Sequence, residues 1–209
     1  HALAGTRLHL PAGPWRAVYV DHGGLRVGDR HIAAGEGAML WQGALEIAPD
    51  GPDTRAYLWE AWGRDRPEAG QPKGMRRLGA HDMPRLAEDD PGAPGDAALR
   101  LERVDLIPGV ETPPHTHRGS GLRVLLSGRL EAEIDGARQM LAPGDAWLER
   151  GPGEVVVGRA APDARTSFVR LLVLPAAAAG QDSFVDLSDT PGPRPRPADY
   201  RRFFEREVV

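Results

Sequence analysis

The 209-residue chain contains no cysteine, no long apolar run and no large excess of charge of one sign. Without cysteine, disulfide bonds, thiolate catalysis and cysteine-based zinc sites are excluded. The longest apolar stretch, residues 168–179, is interrupted by Arg170 and Pro175 and is too short to cross a bilayer. Its 26 basic and 30 acidic residues are interspersed, which gives no electrostatic case for nucleic acid. We therefore expect a cytoplasmic protein with no membrane or nucleic-acid partner.

Glycine and proline, by contrast, are abundant, with 26 and 20 residues. Long patterns of helical periodicity are few, and short apolar runs alternate with Gly- and Pro-rich turns. This combination is typical of many short strands joined by tight turns. The predicted fold class is therefore all-β.

The segment 109–128 carries the most specific pattern of the chain. His115 and His117 are two residues apart, follow a Pro-Pro pair and precede an apolar run. In an extended strand, alternate side chains point to the same face and lie about 6–7 Å apart. Two imidazoles placed in this way can converge on one metal ion, so the pair predicts half of a metal site on a strand.

Two parts of the chain resemble each other in an order of strand, turn, strand, turn, strand, loop and strand. Chance likeness in an Ala-, Gly- and Arg-rich chain is the alternative, but three anchors keep their order and spacing. The repeat predicts an N-terminal unit over residues 1–62 and a C-terminal unit over 97–180, and composition predicts a linker over 63–96 and a Pro-rich tail over 181–209. We expect the aromatic cluster of the tail to dock on a barrel or on a partner subunit, with a disordered tail as the alternative. The anchors pair Arg16 with Arg123, Gly35 with Gly144, and Asp53 with Asp163.

These motifs resemble those of the cupin superfamily. Its first motif is G-x5-H-x-H, then three or four residues, Glu, six residues and Gly, and its second motif begins at a Pro-Gly-Asp turn. The matching positions are Gly109, His115, His117 and Gly128 in the first motif, and Pro143, Gly144, Asp145 and Gly151 in the second.

The resemblance covers residues 99–175 well and residues 7–62 only as a degenerate copy. It implies a two-cupin (bicupin-like) chain of tandem cupin-type double-stranded β-helix (jelly-roll) barrels. The first copy lacks the H-x-H segment, so we expect it to bind no metal. In the second copy the family's glutamate ligand falls on Gly121, and its third histidine falls on Glu154 or Val155, depending on the alignment.

Three interpretations of the histidine pair stay open. In the first, His115, His117 and Glu154 bind a divalent Fe, Mn, Ni or Zn ion, with water completing the shell. In the second, the histidines are a relic and the barrel binds a small molecule without metal. In the third, they cap a turn and form local hydrogen bonds.

Arg123 lies two residues after Gly121 and is expected on the same strand face. Its guanidinium would act as a clamp for an anionic substrate, or would form an internal salt bridge with Glu149 or Glu154. Trp147 is a second candidate for substrate binding, with plain core packing as the alternative. The same two alternatives, ligand pocket or packing, apply to the aromatic residues of the first unit, which are Trp15, Tyr19, Trp41, Tyr57, Trp59 and Trp62.

The leading hypothesis is a metal-dependent cupin-type enzyme that acts on a small anionic or aromatic organic molecule. The alternative is a non-catalytic small-molecule-binding cupin with an eroded metal site, and a third is a dimerisation module. A homodimer is expected because leftover strand edges commonly pair between subunits.

Overall fold

The computed structural model describes residues 2–4, 7–40, 42–61, 75–79, 97–189 and 197–208. The chain divides into two compact units, His1–Ala80 and His81–Val209. Within the described ranges, the regular elements are β-strands apart from one short 3-10 turn, Ala176–Ala178. The all-β prediction is therefore confirmed. No helix in this part of the chain has the length and apolar character to span a membrane.

The first unit consists of two antiparallel sheets, with strand orders β6-β3-β8-β1-β9 and β2-β7-β4-β5. Alternating apolar residues of both sheets form its core, for example Val18 and Val20 of β3 with Leu58 of β8 and Ile47 of β7. The described strands of this unit are β1 Ala2–Ala4, β2 Leu8–Leu10, β3 Trp15–His22, β4 Gly24–Val27, β5 Arg30–Ala33, β6 Gly37–Leu40, β7 Leu45–Pro49, β8 Arg55–Ala61 and β9 Met75–Arg76.

The buried aromatic residues of the first unit do not belong to that core. Tyr19, Tyr57 and Trp59 alternate with the core residues of β3 and β8, so they lie on the opposite face of the sheet. The rings of Tyr57 and Trp59 have their centroids 6.4 Å apart. The abundance of aromatic residues suggested a ligand pocket inside the first unit. Tyr19, Tyr57 and Trp59 do not line a space between its two sheets. Trp41 and Trp62 fall outside the described residues.

The second unit repeats the two-sheet plan, with strand orders β15-β12-β17-β10-β19 and β14-β13-β16-β11-β18. Its core draws on both sheets and includes Leu125, Leu130, Trp147 and Phe168. The described strands are β10 Ala97–Leu106, β11 His115–His117, β12 Ser120–Ser127, β13 Leu130–Ile134, β14 Ala137–Leu141, β15 Ala146–Glu149, β16 Val156–Ala160, β17 Thr166–Pro175, β18 Phe184–Asp186 and β19 Asp199–Val208.

Strands also occur in the stretches predicted as linker and tail. β9 pairs with β1 in the first unit. β18 pairs with β11, and β19 pairs with β10 over nearly its whole length. The segment predicted as a Pro-rich tail thus supplies one edge strand to each sheet of the second unit.

The same turn occurs in both units, at Gly35 and Gly144. The amide of Gly35 donates to the Val20 carbonyl at 2.7 Å, and the amide of Gly144 donates to the Leu125 carbonyl at 2.8 Å. Both glycines have positive φ, 78° and 91°, which favours glycine. When the sequences of the two units are aligned on this turn, Val20 is paired with Leu125, and Arg16 is therefore paired with Gly121. The predicted pairing of Arg16 with Arg123 was wrong by two positions.

Candidate metal centre and ligand cavity

β11 brings the two histidines of the H-x-H motif onto one face. Both side chains are buried, and their ring centroids lie 5.0 Å apart at nearly right angles. The intervening Thr116 points the other way, where its hydroxyl donates to the Gly151 carbonyl at 2.8 Å. The period of two that the sequence suggested therefore directs both imidazoles toward the inside of the second unit.

The ring of His115 is held from two sides. Its Nδ1 lies 2.9 Å from the Pro113 carbonyl oxygen. A carbonyl only accepts hydrogen bonds, so Nδ1 carries the proton and Nε2 keeps its lone pair. The ring also stacks on Phe184, with centroids 4.1 Å apart. A histidine whose Nδ1–H donates to a backbone carbonyl is the usual arrangement of a metal ligand.

Glu149 joins the histidines from the opposite sheet. Its Oε2 lies 3.0 Å from Nε2 of His117, and its Oε1 accepts a hydrogen bond from Nε1 of Trp147 at 2.9 Å. One ligand atom from each of His115, His117 and Glu149 lies within 4.8 Å of the others. Two donors about 2.1 Å from one ion and at right angles are about 3 Å apart, so the His117–Glu149 spacing suits a shared ion.

Arg123 also contacts Glu149. Its Nη2 lies 2.5 Å from Oε2 of Glu149, and its Nη1 donates to the Gly121 carbonyl at 2.7 Å. A Cβ atom placed on Gly121 would lie only 2.9 Å from that Nη1 and 2.5 Å from a methyl of Leu172. The Arg123 guanidinium thus lies in the space that a side chain at position 121, where the cupin motif would place glutamate, would need.

Burial and charge set the protonation states of this group. Burial lowers the pKa of His115, and it lowers the pKa of His117 to about 4. Burial alone would raise the pKa of Glu149, but the Arg123 guanidinium and the His117 imidazole outweigh it and hold the pKa well below its usual range. Burial lowers the pKa of Arg123 to about 10. At neutral pH the site therefore holds neutral imidazoles, a carboxylate and a guanidinium.

Oε2 of Glu149 is shared by Arg123 and His117, whereas Nδ1 of His117 is buried without a hydrogen-bond partner. Because buried polar atoms are nearly always hydrogen-bonded, this nitrogen is incompletely paired. Two neutral imidazoles and one ionised carboxylate are a donor set that divalent metals accept. The residues present therefore fit a metal ion.

Glu154, predicted as the carboxylate ligand, does not belong to this group. Its Oε2 accepts a hydrogen bond from the amide of Arg150 at 2.5 Å, and its Oε1 lies 3.4 Å from Nη1 of Arg150. The carboxylate thus closes the turn that follows β15. Glu149, rather than Glu154, joins the two histidines in the group of ligand atoms that lie within 4.8 Å of one another.

The candidate metal centre lies on the wall of a cavity of about 700 Å³ within the second unit. Both sheets line this cavity, and much of its wall is aromatic: Trp147, Phe168, Phe184 and Tyr200. The Trp147 and Phe168 rings meet edge to face at 5.6 Å. A volume of this size falls in the range of sites for small organic ligands, about 300–1,000 Å³.

A row of charged residues crosses the sheet beneath the cavity. Arg123 of β12 is opposite Arg170 of β17, which is opposite Glu102 of β10, which is opposite Arg202 of β19. Nε of Arg170 donates to Glu102 at 2.8 Å, Nε of Arg202 lies 3.5 Å from Glu102, and the Tyr200 hydroxyl donates to the same carboxylate. The sequence did not reveal this row because its members are separated by up to 100 residues. The available signal was the presence of charged residues within otherwise apolar strands.

Residues 102–151 match the family model described as the Cupin domain. Among solved structures, AerE from Microcystis aeruginosa is similar at a TM-score of 0.57 and 13% identity, with 82% of this chain and 84% of that chain covered. A point mutant of the salicylate 1,2-dioxygenase from Pseudoaminobacter salicylatoxidans is similar at a TM-score of 0.50 and 15% identity, covering 81% and 68%. Likeness at such identities concerns the fold alone, and together with the Cupin domain match it confirms the cupin-type fold. No curated protein matches the chain.

Proposed function

We propose that the second unit is a metal-dependent cupin-type enzyme that acts on a small anionic or aromatic organic molecule. The observation that carries this proposal is the convergence of His115, His117 and Glu149 within 4.8 Å at the wall of the cavity. The chemistry of this donor set, two neutral imidazoles and one carboxylate, supports it. A bound divalent Fe, Mn, Ni or Zn ion would supply a Lewis-acid or oxygen-activating centre.

The surrounding residues would prepare the site for that ion. Pro113 fixes the tautomer of His115, and Trp147 holds one oxygen of Glu149 in place. Supporting contacts of this kind commonly change metal affinity by about 10–100-fold when they are removed. The apolar walls of the cavity limit the access of water to the ligands.

The substrate class follows from the cavity lining. Trp147, Phe168 and Phe184 offer flat apolar surfaces, and the guanidinium groups of Arg123 and Arg170 offer positive charge. An aromatic carboxylate would use both features. One structural neighbour is named for salicylate, which is a molecule of this class. Arg123 and Trp147 stay our candidates for substrate contacts.

Metal analysis of protein purified without chelator tests the proposal. After equilibrium dialysis against excess Co²⁺, we expect about one ion per chain in the wild type, because structural and catalytic sites of this kind hold a single ion, and little in a His115→Ala/His117→Ala variant. A His9→Ala/His22→Ala variant is the matched control, since both of these histidines are exposed and lie in the first unit. Equal metal in all three proteins would exclude the site.

A second candidate function is metal-free binding of a small molecule. The observation that favours it is the 2.5 Å contact between Arg123 and Glu149, which compensates the carboxylate charge without any ion. The two functions separate in a ligand-binding assay with hydroxybenzoates. A binding protein would retain full affinity in the His115→Ala/His117→Ala variant with chelator present, whereas the enzyme would lose both metal and turnover, followed as oxygen consumption or as product mass.

We also infer a bicupin-like organisation in which only the second unit binds metal. Among the described residues, no group of three metal-ligating side chains is found in the first unit. The homodimer and the cytoplasmic location stay predictions.

A further inference from the structure

One oxygen atom of Glu149 contacts two side chains. Its Oε2 lies 3.0 Å from Nε2 of His117 and 2.5 Å from Nη2 of Arg123. The other oxygen, Oε1, accepts the hydrogen bond of Trp147. An ion that uses Oε2 together with the two histidines would therefore meet the guanidinium of Arg123 on the same atom.

A divalent ion bound to Oε2 of Glu149 would repel the guanidinium of Arg123, which contacts the same atom. Both are positive, both lie in a buried region where charge interactions are weakly screened, and Glu149 supplies only one negative charge to the pair. Histidine binds a metal ion only as the neutral imidazole, so the group of His115, His117, Glu149 and Arg123 that would receive the ion has no net charge of its own. Adding a divalent ion leaves two positive charges uncompensated, which an anion in the cavity would reduce.

Arg123 is placed to meet such an anion. Its side chain lines the cavity, and the absence of a side chain at Gly121 leaves the guanidinium room that an alanine there would restrict. Its cross-strand neighbour Arg170 is engaged by Glu102 through two contacts, at 2.7 and 2.8 Å. If Arg123 leaves Glu149, the oxygen Oε2 becomes available to a metal ion, whereas Arg170 contacts Glu102, which is not part of the candidate metal centre.

We propose that the metal ion and an anionic ligand bind cooperatively at this site, because the carboxylate of the ligand takes the Arg123 guanidinium from Glu149 and so releases Oε2 to the ion. The inference rests on the proposed metal site and adds a regulation to it: the centre loads tightly when an organic anion is present and weakly when it is absent. Arg123 is here a positioning residue, and Glu149 is the residue for which Arg123 and the ion compete.

The test is calorimetric titration of chelator-stripped protein with Co²⁺, with and without saturating benzoate. In the wild type we expect benzoate to tighten Co²⁺ binding by about tenfold or more, within the usual 5–150-fold range of coupling between sites. Benzamide has a similar shape but no charge and should leave the affinity unchanged. By linkage, Co²⁺ must tighten benzoate binding by the same factor.

Arg123→Gln separates this coupling from direct ligation of the ion by benzoate. In this variant Glu149 is free from the start, so Co²⁺ should bind about tenfold more tightly than to the wild type without benzoate, and most of the benzoate effect should vanish. Arg123→Lys keeps the charge and should bind Co²⁺ no more tightly than the wild type.

Two outcomes overturn the inference. Equal Co²⁺ affinity in wild type with and without benzoate excludes the coupling, and this result needs no variant. An undiminished benzoate effect in Arg123→Gln excludes the role of the guanidinium. In both cases the proposed metal site survives, because Co²⁺ still binds. Absence of Co²⁺ binding in every protein and condition would instead remove the proposed function together with the inference.

Discussion

Nη2 of Arg123 lies 2.5 Å from Oε2 of Glu149, and both side chains are almost completely buried. Each compensates the charge of the other where water does not reach. Removing one partner of a buried ion pair leaves the other charge uncompensated, whereas replacing both partners often costs much less. The pair therefore has a clear signature in a double-mutant cycle.

We expect Arg123→Gln and Glu149→Gln each to lower the free energy of unfolding of the metal-free protein by about 3–5 kcal/mol. The double variant should lose less than the sum of the two. Urea denaturation in the presence of chelator measures all four proteins. Additive losses would contradict the direct pairing of these two residues.

Glu102 compensates the charged row that crosses the second unit. Arg170, Arg202 and the Tyr200 hydroxyl all contact its carboxylate. Glu102→Gln should lower the free energy of unfolding at neutral pH by about 3–5 kcal/mol, because the arginines lose their buried counter-charge. The control is Glu111→Gln, whose exposed carboxylate contacts Arg159 at 3.1 Å and should cost less than about 1 kcal/mol.

The contribution of Glu102 should also depend on pH. Burial alone would raise its pKa, but Arg170 and the other partners lower it below the usual value. Its stabilising effect is therefore complete above the unfolded-state pKa of about 4.3 and is lost as the pH falls through the folded-state value. The stability difference between wild type and Glu102→Gln should shrink on acidification; a constant difference would contradict it.

His117 should make the fold less stable in mild acid. Its pKa is lowered by burial to about 4, whereas in the unfolded chain it is about 6.5. Between these values the unfolded state binds a proton that the folded state does not, so stability falls as the pH drops, by up to about 1.4 kcal/mol per pH unit. In metal-free protein, His117→Asn should flatten this dependence, and His22→Asn, at an exposed position, should not. Parallel curves would refute the prediction.

Gly121 is expected to tolerate no side chain. A Cβ atom there would come within 2.5 Å of Leu172 and 2.9 Å of Arg123. Gly121→Ala should therefore lower the free energy of unfolding by about 1–3 kcal/mol through overpacking. Gly51→Ala is the matched control, because nothing lies within 4 Å of the added atom and its φ is not positive. Equal thermal stability of the two variants would argue against the close packing at Gly121.

Local patterns were the part of this structure that the sequence could predict. The period of two places His115 and His117 on one face of β11, and the need for positive φ marks the turns at Gly35 and Gly144. The offset between Arg16 and Arg123 failed because residue pairing was judged by identity, whereas the turn hydrogen bonds fix a different register.

Long-range pairing could not be predicted in the same way. Glu149 reaches the histidines only because β15 and β11 belong to facing sheets, and nothing local distinguishes it from Glu154. Glu154 was favoured by a family spacing, yet its turn directs the carboxylate to the Arg150 amide. β19 pairs with β10 about 100 residues away, and the Pro-rich stretch before it hid that strand.

The most direct measurement is a crystal structure of the protein grown with Co²⁺ and benzoate, with anomalous data collected at the cobalt edge. The account predicts one strong peak within coordination distance, about 2.0–2.2 Å, of His115, His117 and Glu149. A difference map without a peak at these residues, with Arg123 still paired to Glu149 at saturating Co²⁺ and benzoate, would contradict it.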